Sequence, residues 1–289
     1  MNDFDDLFAT KQETEEKRTY RPNTKDDWKQ KKQQERTDTF AMLGGATADI
    51  AKDSGSFRAY LDVQSRFDRY SVSNALLVSH QMPEATRLGD SAFWKKQGAY
   101  IKKGEKGITI LEPGEYTKQN GEKGVSYNAK KVFDIEQTDA DKKPQRSRTT
   151  DIKKLVKALV KSATSEVSIS DELPAGVNAQ YNPEKNTIFI RQGLEGNEIF
   201  SCLAREIAVS RFSGNDIPKE DKAVSVFSVA FIVCKRNGIE PPVLPVKGEL
   251  FSDKEPKEIR AVLSKARDEA NTISAVMEKA LDNRNRDAR

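Results

Sequence analysis

The sequence predicts an α+β protein in two parts: a helix-plus-antiparallel-sheet domain over 38–138, then a mostly helical domain over 151–289. Three observations carry this. Apolar residues recur at spacings of three and four between Phe40 and Val78. Glycine-punctuated, lysine-rich segments of β texture follow from Trp94. Helical periodicity returns at Ile152 and dominates as far as Ala280. Strands grouped between runs of helices, not alternating with them one by one, are the α+β pattern.

Residues 1–37 are rich in Asp, Glu, Lys, Arg and Gln with few aliphatics, so they have too little apolar surface to pack alone and read as a disordered or loosely helical arm. From Thr39, Phe40, Leu43, Ala46 and Ile50 form one helical stripe that Ser54–Gly55–Ser56 interrupts. Phe57, Tyr60, Leu61, Gln64 and Phe67 continue the rhythm in a second helix. Ser71 or Ser73 is a suitable N-cap for a third, which carries Ala75 to Val78 up to Pro83. Strands are then expected at Ala99–Ile101, Gly107–Leu111, Val125–Tyr127 and Lys131–Ile135, the middle pair joined through Gln119–Asn120–Gly121.

Residues 139–150 contain no large apolar side chain and read as a linker, which predicts that a fragment ending near Lys143 folds by itself. A basic amphipathic helix at 152–160 follows. Short strands at Glu166–Ile169 and Thr187–Ile190 precede helices at about 194–212 and from Val224 to Asn237. Ile259, Leu263, Ala266, Ala270, Ile273, Met277 and Ala280 alternate spacings of four and three over a long last helix; their alanines suit close packing within the chain, hence a monomer when no partner is bound.

Of the 289 residues, 36% are hydrophobic and 33% charged, which fits modest cores in a soluble protein. No stretch approaches eighteen apolar residues, and Met1 to Asp6 lacks the basic and apolar regions of a signal peptide, so the cytoplasm is the expected location and no membrane partner is expected. The net charge of +4 is small but unevenly placed. Trp94 to Lys131 holds nine lysines against four glutamates, and Lys142 to Lys161 holds eight basic residues against Asp151. Cys202 and Cys234 lie in apolar helical context and read as reduced core thiols. His80 is the only histidine, which excludes any pair of histidine ligands within one chain.

Lys95, Lys96, Lys102, Lys103 and Lys106, interleaved with Trp94, Tyr100 and three glycines, suit a surface that neutralises phosphates and stacks on bases. A set of turns with solvated lysines is the plainer reading of the same pattern. Trp94 fits a stacking platform or the core of a small sheet. Arg66, Tyr70 and Asn74, four residues apart, would share a helical face and add hydrogen bonds to a strand, with a cap or packing role the alternative for Asn74.

The elements from Phe57 to Pro113 resemble, in order, the N-terminal single-stranded-DNA-binding domain of the ArdC antirestriction family and its LtrC-like relatives. They include Ser65–Arg66–Phe67, Asn74 to Leu77, Gln81 to Thr86 and Trp94 to Gly107, and Lys131 to Thr138 resembles that domain's closing strand. The resemblance implies single-stranded DNA as the partner and a conjugative plasmid, integrative element or phage as the setting, with protection or processing of transferred DNA as the role.

The second half resembles the zincin-like metallopeptidase domain of the same family, in which a strand leads into a helix bearing H-E-x-x-H. The matching stretch is Leu203 to Val209: Glu206 keeps the glutamate, while Arg205 and Val209 stand at the ligand positions and Val226 or Phe227 at that of the third ligand. Arginine offers only donors and valine no lone pair, so no metal, no cofactor and no catalytic residue are expected. A pseudo-enzyme of this kind has a second possible role, as an interaction module for a host defence or conjugation protein.

Overall fold

A computed structural model of the chain describes residues 25–117, 120–140, 151–214, 217–243, 250–251 and 254–287. Most of the expected linker, 141–150, and the first part of the expected arm, 1–24, lie outside the described residues. The rest of that arm is helical: α1 runs Lys25–Lys52, its first turns exposed and its last turns seated through Leu43, Ala46 and Ile50. Asp53 then caps α2 (Ser54–Arg66) by accepting from the Ser56 amide at 2.6 Å, and Ser71 caps α3 (Val72–Gln81).

The sheet of the first half has the order β1-β3-β2, from β1 (Leu88–Gly89), β2 (Ile108–Thr117) and β3 (Lys123–Asp134). Three of the four expected strands thus merge into one long antiparallel hairpin, paired without a break from Ile108↔Val132 to Thr117↔Lys123, and the short β1, which was not expected, adds a third strand. Ala99–Ile101 contributes only the bridge Ile101↔Thr138. Ser91–Lys96, ahead of the expected strands, forms a short helix, α4, because Asp90 accepts from the Phe93 amide at 2.7 Å and starts a turn.

In the second half, α5 (Ile152–Ser162) precedes a small sheet of order β4-β6-β5: β4 (Glu166–Ile169), β5 (Ala179–Asn182) and β6 (Thr187–Ile190). β4 runs parallel and β5 antiparallel to β6; β5 is too short and too polar to announce itself in sequence. Helices α6 (Gly196–Arg211), α7 (Lys219–Arg236) and α8 (Pro256–Asp287) complete the fold. The whole 4–3 seam of α8 is buried against α5 and α7, within the chain.

The two halves are not independent. Buried residues from Leu43 to Val132 and from Leu155 to Ala280 form a single cluster, with α2 packed on α7. Phe57, fully buried, meets Phe251 edge-on at 5.9 Å and Phe227 at 6.3 Å. Orphan carbonyls at the end of α2 and in the turn after it are capped from the second half: Arg236 donates to Ser65 O at 3.2 Å, Arg267 to Tyr70 O at 3.3 Å and Asn271 to Asp68 O at 3.1 Å. The polar linker therefore separates two stretches of chain that share a core, which argues against the expectation of a self-sufficient first domain.

Cys202 and Cys234 are both free thiols, and burial pushes the Cys234 thiol up to about 12. No helix among the described residues is long and apolar enough to cross a membrane.

Candidate nucleic-acid interface

The site is built on the hairpin and on the two segments that flank it. Side chains of α3 hold the outer edge of β2 as a neighbouring strand would. Asn74 Nδ2 donates to Leu111 O at 2.9 Å and its Oδ1 accepts from Leu111 N at 2.8 Å. Gln81 does the same to Thr109, at 2.9 Å both ways. The amides are seven residues apart on one helical face, and the residues they hold are two apart on one strand edge, so the periods of helix and strand coincide over this distance. An edge of unpaired backbone groups is thereby satisfied.

Buried Asp134 fixes the other flank. Its Oδ2 accepts from the Thr86 and Arg87 amides at 2.7 and 2.8 Å, and its Oδ1 from the Glu136 amide at 3.1 Å, tying the segment before β1 to the end of β3. α4 follows, and Phe93 lies so close over Gly89 that any Cβ there would collide with the ring. Arg87 stands over both Phe93 and Trp94 at 5.7 and 5.4 Å.

Between these flanks lies an open cleft of about 510 Å³ whose lining includes Arg69, Tyr70, Phe93, Glu112, Tyr127 and Lys130. Lys130 bridges two carboxylates, at 3.0 Å from Asp90 and 2.5 Å from Glu112. Those hydrogen bonds raise the Lys130 ammonium above its ordinary range, Glu112 contributing most, so it is cationic at neutral pH. The Tyr70 ring stacks on Phe67 with centroids 5.3 Å apart; burial raises its hydroxyl, with Lys130 opposing and Asp90 reinforcing the shift.

Beyond α4 the lysine-rich loop is pinned along the segment that follows β3. The amide of Tyr100 donates to Asp139 at 2.6 Å, that of Lys102 to Gln137 O at 2.9 Å, and the Gln137 side chain donates to Glu105 and to Lys106 O, each at 2.9 Å. Gly98 and Gly104 take φ of +74° and +89°, where a Cβ is strained. From this fixed loop and α4, Lys95, Lys96, Lys103, Lys106 and Tyr100 project into solvent, while Lys102, also exposed, donates to Glu136 O at 2.8 Å.

Two sequence expectations are overturned. Trp94 is 1% exposed, packs with Ala99 and Ile135, and donates its indole N–H to Phe133 O at 2.9 Å, so neither ring face is open to a base. Arg66, Tyr70 and Asn74 share no helical face, because α2 ends at Arg66, Tyr70 lies in the turn and Asn74 begins the next helix. Arg66 donates instead to Pro83 O, and both polar groups of Asn74 are spent on β2. Tyr70 and Asn74 still line the cleft. Arg69, Phe93, Tyr127 and Lys130 were missed, since nothing local distinguishes them and only the hairpin and the turn after α2 bring them together.

In the second half, Glu206 is buried and accepts from the Tyr181 amide at 2.8 Å while pairing with Arg205 at 2.7 Å; Arg205 also reaches Ala179 O at 3.5 Å. Burial pushes the Glu206 carboxyl up, against Arg205 and the Tyr181 amide. Val209 is half-buried, and Val226 and Phe227 are buried and apolar. Arg205 and Val209 supply no lone pair, so these side chains do not fit a metal of the H-E-x-x-H type. Among the described residues no group of three or more His, Cys, Asp or Glu is placed to hold one.

Residues 45–157 match the family model of the N-terminal domain of anti-restriction factor ArdC. Crystal structures of the antirestriction ArdC protein from plasmid R388 share the fold. The metal-free structure is 18% identical and aligns over 74% of this chain and 86% of that one, with a TM-score of 0.52. The Mn(II)-bound structure is 15% identical over 84% and 97%, with a TM-score of 0.56. No curated protein matches. The chain is thus ArdC-like, by sequence in the region 45–157 and by fold across most of its length.

Proposed function

We propose that this protein binds single-stranded DNA of a mobile genetic element in the cytoplasm and shields it in an antirestriction role, its second half serving as a scaffold without metallopeptidase chemistry. The observation that carries the reading is the juxtaposition of a rigid lysine loop with an aromatic cleft across α4, where Phe93 lines the cleft and Lys95 and Lys96 end the same helix. The lysines are preorganised by backbone hydrogen bonds, so little order is lost when phosphates bind. Tyr100 and Tyr127, 62% and 46% exposed, offer ring surface to unstacked bases.

Gel-shift titration over a range of salt tests this. Single-stranded oligonucleotides are expected to bind more tightly than duplex, with log K falling by about 0.7 per phosphate neutralised for each unit of log salt. Lys96 and Lys103 form no ion pair among the described residues, so Lys96→Ala with Lys103→Ala should flatten that slope by about 1.4 and weaken all sequences alike. An unchanged slope would remove the loop from the DNA path. Chelation and Glu206→Gln should leave protection of unmodified DNA entering a restricting host intact; stoichiometric metal in the purified protein would overturn the scaffold reading.

A further inference from the structure

We propose that the cleft takes an unpaired nucleobase by its Watson–Crick edge, read by Glu112 and Lys130, and that this contact, more than the lysine loop, discriminates single strands from duplex. The inference rests on the single-strand reading above and names the moiety that enters the cleft.

Charge excludes a phosphate as the occupant. Arg69 and Lys130 on the cleft wall are balanced by Asp90 and Glu112, and Lys130 lies against both carboxylates. A phosphate would gain no net attraction and would face two anions of like sign, whereas a neutral base meets no such opposition. The remaining lining suits a base, with Leu88, Ile110 and Val132 as apolar walls beside Tyr70 and Phe93. The volume of about 510 Å³ lies within the roughly 300–1,000 Å³ of small-molecule pockets.

The polar groups in the cleft are unequally committed. Asp90 spends one oxygen on the Phe93 amide and the other on Lys130. Glu112 spends only Oε1, on Lys130; Oε2 has no hydrogen bond among the described residues, and the side chain is 53% exposed. The Lys130 ammonium has three N–H donors, of which these carboxylates engage two. One acceptor and one donor therefore stand side by side on the same face of the hairpin, since Lys130 opposes Ile110 and Glu112 is the next residue on that face. Every base carries an adjacent donor and acceptor on its Watson–Crick edge, so the pair can read any unpaired base with little preference of sequence. In a duplex that edge is occupied by the partner base, and the cleft is denied it.

Fluorescence anisotropy with oligo(dT) and with an equally long oligomer of N3-methylthymidine, which lacks the N3–H donor, tests the proposal on the full chain. The parent is expected to favour oligo(dT) about tenfold. Glu112→Ala should bring that ratio close to one and leave the salt slope unchanged, while Glu112→Gln, which retains an acceptor oxygen, should keep part of it. Equal binding of both oligomers by the parent, or an undiminished ratio in Glu112→Ala, would overturn the inference and leave single-strand binding standing. So would tighter binding of both by Glu112→Ala with a steeper salt slope, which would identify a phosphate in the cleft. Binding of neither oligomer by the parent would overturn the single-strand reading and this inference with it.

Discussion

At the scale of single residues, the amides on α3 and the carboxylate on α6 show how a polar side chain becomes structural once its partners are fixed. Asn74 satisfies both backbone groups of Leu111, so Asn74→Ala leaves a donor and an acceptor unpaired, at about 1–3 kcal/mol each when buried. Chemical denaturation should register that loss, and Asn74→Asp, which keeps the acceptor alone, should recover part of it. Glu206 makes a prediction in pH. Its carboxyl is raised above the ordinary value of 4.5 by burial, so the folded chain holds this proton more tightly than the unfolded chain does. Its contribution to stability is therefore greatest below that value and declines as pH rises through the raised folded pKa. Urea midpoints between about pH 4 and pH 7 should show this component in the parent and lack it in Glu206→Gln. At neutral pH the two proteins should differ by no more than about 1 kcal/mol, because Arg205 is half in solvent and its ion pair is screened.

At the scale of elements, the hairpin and α8 were legible to different degrees. β2 and β3 together form more ladder than their apolar residues announce. The outer half of the hairpin, from Glu112 to Thr117 and Lys123 to Asn128, is largely solvent-facing, and alternation fails as a signal where neither face is buried. α8 is the opposite case. The apolar positions of its seam, from Ile259 to Ala280, are two complete turns apart in pairs throughout, and all of them are buried. Because that seam is already filled by α5 and α7, sedimentation velocity of the DNA-free protein should give a monomer, and Ala270→Leu should cost about 1–3 kcal/mol by overpacking. A stable dimer would mean that another face of the molecule associates.

For the molecule as a whole, one shared core governs behaviour. A fragment ending at Lys143 would uncover Phe57 where Phe227 and Phe251 now pack on it, and would strip the end of α2 and the turn after it of Arg236, Arg267 and Asn271. Such a fragment is expected to aggregate or to lack a cooperative thermal transition, whereas co-expression with residues 144–289 should restore one. Phe57→Ala in the full chain should cost about 3–5 kcal/mol and lower a single transition, not one of two. Two separate transitions by calorimetry would show that the halves are energetically independent.

The sequence by itself determined the α+β class, the helices whose apolar faces are long and regular, and the existence and sign of the lysine loop. These are properties of composition and period, which neighbours far along the chain do not alter. Tertiary structure decided what each polar or aromatic side chain has left to offer. Trp94 and Tyr100 lie in the same basic stretch, yet one donates its N–H inside a small core and the other stands in solvent, because Ala99 and Ile135 close over the first alone. Asn74 and Glu112 are both polar residues of the cleft, but Leu111 consumes the first and Lys130 only half of the second. Whether a hydrogen-bonding group is free depends on partners that only the fold brings within 3 Å, and sequence spacing carries no record of them.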